Sequence, residues 1–125
     1  MSYAFLVNSM GLHADLEIDS DYFVQQLKNR WPTAEIRYSP SPTHVLNWKL
    51  ELGAYTVLGG LQTDGQTMCI EGGDAESVAE FAVWYRTLVS AQYRLFLYSG
   101  PTVNNPFELR LSTTEGEIRD ILNKD

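Results

Sequence analysis

The stretch from Asp74 to Ser90, DAESVAEFAVWYRTLVS, constrains the fold of this chain more than any other segment. Val78, Phe81, Ala82, Tyr85, Leu88 and Val89 recur at helical spacing and make one wide apolar stripe. Glu76, Ala79, Glu80, Val83 and Thr87 fall on or near the opposite side. A single stripe calls for a single covering surface, and the segments flanking this helix alternate as strands do. The expectation is a helix laid on a sheet.

The flanking segments supply that sheet. Tyr3 to Asn8 is apolar and strand-like. Asp21 to Trp31 carries Phe23 and Leu27 at helical spacing, with Asp19 or Ser20 as cap and Pro32 as terminator. Ala34 to Ser39 reads as a strand stopped by Pro40 and Pro42. His44 to Leu52 alternates, with Leu46, Trp48, Leu50 and Leu52 on one face and Asn47, Lys49 and Glu51 on the other. Gly53-Ala54 turns the chain into Tyr55 to Leu61, and Thr63-Asp-Gly-Gln66 signals a hairpin into Gln66 to Glu71. Gly72-Gly73 breaks that strand ahead of the main helix.

After the helix, Tyr93 to Tyr98 is apolar on both faces except for Arg94 and is expected to lie centrally. The loop Gly100 to Pro106 leads to Phe107 to Leu111, with Phe107, Leu109 and Leu111 facing inward. Ser112 with Glu115, or Thr114 with Glu117, makes a capping box before Ile118, Ile121 and Leu122. The order β-α-β-β-β-β-α-β-β-α predicts an α+β, two-layer sandwich. Its sheet is mostly antiparallel, with six to seven strands, two main helices on one face and a short C-terminal helix. A ferredoxin-like β-α-β-β-α-β core with an extra hairpin is one embedding. Neither a repeat nor a linker divides residues 1–125, so one domain is expected.

Charge narrows the partners. Nine basic against sixteen acidic residues give a net charge of −7, which disfavours nucleic acid and anionic membranes and attracts basic proteins. The one cysteine, Cys69, can form no intrachain disulfide and no thiolate metal cluster, which suits a reducing compartment. The N-terminal MSYAFLVNSMG lacks a basic region, and its apolar run is too short for a signal peptide or a membrane span. The expectation is a soluble cytoplasmic protein without a metal or cofactor.

Motifs for chemistry are weak. Asp15, Glu17, Asp19 and Asp21 alternate like calcium ligands, but the sixth position of such a loop is Ser20 and the twelfth Gln26, where glycine and glutamate are needed. The simpler reading is that Asp19 and Asp21 favour a helix N-terminus. Gly72-Gly73 before a helix could cradle an anion, but Glu71, Asp74 and Glu76 would repel it. His13 and His44 are the only histidines, and His13 sits among acids that would raise its pKa. Cys69 alternates with Met68 and Ile70, as a packed thiol does. Gly59-Gly60 within a strand marks a bulge or a close approach, with the main helix as the expected neighbour.

The aromatic residues carry the remaining signal. Trp84 falls at the rim of the helical stripe, Trp48 lies mid-strand, and Tyr93, Phe96 and Tyr98 cannot all enter one core from a single strand. Rings at the rim can simply finish a small core, which is the first reading. If they are exposed, Trp84, Arg86, Trp48 and Tyr98 make an interaction rim, with Arg86 a surface residue pairing to Glu80 or a sheet carboxylate. The leading reading is a non-catalytic module that binds a protein partner, or itself as a homodimer, with an inhibitor or immunity-type protein as one subclass. Trp84→Ala is then expected to weaken association with little unfolding. The alternative is a small enzyme or ligand-binding domain with a helix–sheet pocket using His13 or His44 and a carboxylate such as Glu51 or Glu71.

Overall fold

A computed structural model describes residues 3–8, 19–38, 44–62, 67–72, 74–89, 93–99 and 107–122. The alternating segments become strands β1 (Tyr3–Asn8), β2 (Glu35–Tyr38), β3 (His44–Leu52), β4 (Tyr55–Gln62), β5 (Thr67–Gly72), β6 (Leu95–Ser99) and β7 (Phe107–Leu109). They form one seven-stranded sheet in the order β2-β3-β4-β5-β1-β6-β7, and every neighbouring pair is antiparallel. Among the described residues three helices accompany it: α1 (Ser20–Arg30), α2 (Ala75–Leu88) and α3 (Glu115–Leu122). The α+β class and the antiparallel sheet expected from the alternation are both present. β5 and β6 flank β1, so α2 connects two strands across one intervening strand, while α1 carries the chain from β1 to the far edge.

Strand ends differ from the sequence pattern where turn hydrogen bonds take over. Ala34 donates its N–H to the Trp31 carbonyl at 3.0 Å, so it belongs to a turn and β2 begins at Glu35. Thr113 likewise donates to the Arg110 carbonyl at 3.0 Å, and Arg110 N–H donates to Thr113 Oγ1 at 2.8 Å. The chain therefore turns after Leu109, and Leu111, expected to face inward, is 62% exposed. The Thr63–Gln66 turn, the Pro40–Pro42 stop and the Gly100–Pro106 loop lie outside the described residues.

The alternation of β3 sets the core. Leu46, Trp48, Leu50 and Leu52 are buried on one face, with Val57 and Leu61 of β4, Met68 and Ile70 of β5, and Leu95 and Leu97 of β6. α2 lies over this face. Phe81 stacks on Trp48 at 4.5 Å between ring centroids, and its ring also stacks with that of Trp31, just past α1, at 6.1 Å. Phe23 of α1 meets Tyr85 edge-on at 6.2 Å. Of the predicted stripe, Val78, Phe81, Ala82, Tyr85 and Val89 are buried and Leu88 is half-buried. Ala79, expected near the outer side, is also fully buried, because α3 packs against that flank through Ile118 and Leu122.

The helix ends follow their capping residues. Asp19 accepts from Asp21 N–H ahead of α1, and Asp74 accepts from Ser77 N–H at 2.9 Å ahead of α2. Thr114 and Glu117 form the reciprocal capping box of α3: Glu117 N–H donates to Thr114 Oγ1 and Thr114 N–H to Glu117 Oε1. Gly72 closes β5 with φ of +81°, a conformation that side-chain-bearing residues rarely adopt. At Gly59 the close neighbour is not the helix. A Cβ there would collide with the Trp48 indole of the paired strand and with the Cys69 carbonyl.

Candidate functional site

With α1 and α2 on the Trp48 face and α3 docked on α2, no described helix covers the other face of the sheet. Cross-strand register builds that face in rows. Glu35, Lys49, Leu58 and Glu71 stand side by side in one row, and Arg37, Asn47, Gly60 and Cys69 in the next. Gly60 contributes no side chain to its row, and the sheet there encloses a hollow of about 580 Å³. Leu58, 43% exposed, and the half-buried Cys69 give it an apolar floor. Arg37, Lys49, Glu35 and Glu71 add charges of both signs. Lys49 Nζ lies 3.8 Å from Glu35, an exposed pair of small energetic weight that a competing charged group can displace. Such a surface can take up an apolar side chain and fix its orientation through charged neighbours on either flank.

The four residues predicted as an interaction rim do not come together. Trp48 is only 2% exposed, with its indole Nε1–H directed at the Met68 sulfur at 3.2 Å. Trp84 is half-buried among Trp31 at 5.0 Å, Phe81 at 5.4 Å and Phe23 at 6.1 Å. Truncating Trp84 therefore removes core contacts, and the expectation that Trp84→Ala spares stability is corrected. Tyr98 is half-buried on the opposite face of the sheet, in register with Phe5. Arg86 is 5% exposed and is a buried residue, not a rim residue. Of its predicted partners, Glu80 pairs instead with Arg30 at 3.1 Å.

Arg86 belongs to a second cluster that the linear pattern conceals. Its Nη2 donates to the Tyr93 carbonyl at 3.3 Å, and it lines a hollow of about 360 Å³ together with Arg94, Arg110 and Glu108. Arg94 grips the Glu108 carboxylate with two hydrogen bonds, at 3.1 and 3.3 Å, and Arg110 approaches the same group at 3.6 Å. The hydrogen bonds from Arg94 and the nearby charges of Arg94 and Arg110 hold Glu108 below the usual carboxylate range, against the cost of its partial burial. Burial pulls the Arg86 pKa down, and the charge of Glu108 acts against that shift. The sequence signal was the alternation Phe107-Glu-Leu-Arg110, but its meeting with Arg86 depends on β6 pairing with β7.

The remaining candidates are placed as follows. Asp19 caps α1 and Asp21 sits in its first turn, as the helix-terminus reading expects. His13, Asp15, Glu17 and Gly73 lie outside the described residues. His44 opens β3 in register with Gln62. Glu51 accepts from the Thr56 hydroxyl at 2.9 Å across the β3–β4 hairpin, whereas Glu71 borders the large hollow. Among the described residues no group of three or more histidine, cysteine, aspartate or glutamate side chains is positioned to hold a metal ion. No described helix is long and apolar enough to cross a membrane. Comparison of the chain with family models, with curated proteins and with solved structures gives no match.

Proposed function

We propose that this chain is a non-catalytic protein-interaction module of the inhibitor type, whose β2–β5 face receives a protruding apolar side chain of a cationic partner protein. The observation that carries the reading is the hollow over Leu58, Gly60 and Cys69, on the sheet face that no described helix covers. In this view the molecule is two layers, with helices over sheet and the second sheet face turned to the partner. Its net charge of −7 accelerates encounter with a basic protein and opposes the approach of a second copy. At short range, Arg37 and Glu71 on either side of the floor set the register of the docked segment. The single cysteine suits a reducing, cytoplasmic setting.

The test is cross-linking and affinity purification of the tagged chain from its own cells, followed by study of the purified pair. Leu58→Arg places a charge on an exposed floor position without touching the core. The expected result is a basic partner whose bound form protects β3–β5 amides from hydrogen exchange, and whose binding Leu58→Arg weakens by about tenfold or more at unchanged melting temperature. Protection confined to α1–α3, binding indifferent to Leu58→Arg, or a homodimer as the sole complex would overturn the proposal.

A further inference from the structure

We propose that the hollow between the end of α2 and the β6–β7 edge is a binding site for a phosphate-type dianion, held by Arg86, Arg94 and Arg110. Three guanidinium groups and one carboxylate are the only charged side chains among the described residues lining it. The surplus of two positive charges matches a phosphate monoester or inorganic phosphate near neutral pH. In a chain with nine basic residues against sixteen acidic ones, this concentration of three cations is the reverse of the overall charge.

The arrangement is built, not incidental. Glu108 sits between Arg94 and Arg110 and draws both long side chains toward one point on the β6–β7 edge. Arg94 is further fixed by lying over the Phe96 ring at 4.9 Å. Arg86 comes from below, anchored on the Tyr93 carbonyl, where burial strengthens its attraction for an anion. The C-terminal end of α2 opposes the anion with only about half a negative charge, which the guanidinium surplus exceeds. The hollow of about 360 Å³ is larger than a phosphate group alone, and Tyr93, Leu109 and Leu111 offer apolar walls to a substituent on the ester.

The experiment is a titration of the intact chain with inorganic phosphate and with glycerol phosphate, against sulfate and acetate at matched ionic strength. It is followed by calorimetry and by the arginine Nε–H resonances. The expected result is saturable one-to-one binding that shifts the Arg86 resonance and favours dianions over acetate. Arg110→Gln or Arg94→Gln, both at exposed side chains that spare the core, should each weaken binding about tenfold. Glu108→Gln keeps one acceptor oxygen to hold Arg94 in place while removing the competing negative charge, and should tighten binding several-fold. Tighter binding of glycerol phosphate than of inorganic phosphate identifies an ester ligand, and equal binding identifies the free ion; both support the site. A linear response equal for all four anions, or saturable binding unaffected by Arg94→Gln and Arg110→Gln together, would overturn it. These readouts do not involve Leu58 or a protein partner, so the site stands or falls apart from the β2–β5 reading.

Discussion

Trp48 lies opposite Gly59 in the β3–β4 ladder, and its indole spreads over the place that a side chain at position 59 would fill. The indole in turn forms the platform on which Phe81 of α2 stacks. Gly59 thus lets a large ring lie flat between strand and helix, with the entropic cost of glycine in a strand offset by buried aromatic area. Gly59→Ala forces the added methyl against indole carbons and a backbone carbonyl, neither of which can swing away. The expected cost is about 1–3 kcal/mol, the range for overpacked cores. Urea denaturation followed by tryptophan fluorescence measures it, and an unchanged midpoint would show that the indole can move aside. The glycine pair was visible in the sequence as a site of close approach. Which body approaches was not, because the answer depends on cross-strand register.

At the scale of elements, α2 is held at its start by the Asp74 cap. The hydrogen bond from Ser77 is the main cause that depresses the Asp74 pKa, so the carboxylate form is favoured in the folded state. A depressed folded-state pKa contributes stability above the unfolded value and loses it as the pH falls through the folded one. Asp74→Ala should therefore cost about 1 kcal/mol at neutral pH, the usual worth of such a cap. The gap to the parent protein should narrow below about pH 4, where the unfolded-state carboxyl takes up its proton. Thermal melts of both proteins across that range decide the matter, since a gap independent of pH would remove the carboxylate from the account. Helical period and strand alternation made this level of structure legible: β3, α2 and the Thr114–Glu117 box stand where their patterns point. Burial of Ala79 was not legible, because periodicity shows one stripe per helix and says nothing of α3 arriving on its flank. Nor was the turn at Arg110–Thr113, where side-chain and backbone hydrogen bonds end a strand whose alternation runs on to Leu111. The hollow over Leu58 was equally hidden, since alternation alone does not say which sheet face the helices will cover.

Among the described residues, charge divides between helices and strands. The described helices and their caps carry eight acidic against four basic residues, whereas the described strands, with Arg94 and Arg110 beside them, carry four of each. In the proposed docking of a cationic partner, the long-range field of the acidic helices and the short-range fit of the β2–β5 hollow should therefore govern different steps. Charge at a distance from a contact acts on the approach of a partner, whereas contact packing acts on its escape. Asp120→Lys combined with Glu115→Gln, both exposed on α3, should slow association with the proposed cationic partner several-fold at low salt. Dissociation should be unaffected, and the effect should fade as salt shortens the screening length. Leu58→Arg should act chiefly on the other step, raising the dissociation rate by about tenfold or more, the scale of one interface hot spot. Its effect on association should be smaller than that of the α3 variant, since it changes the net charge by one unit and not three. Stopped-flow association and surface-plasmon dissociation measured on the same purified pair separate the two. If the α3 variant instead accelerates dissociation and Leu58→Arg leaves it alone, the helical layer is the contact surface and the hollow is a feature of packing only.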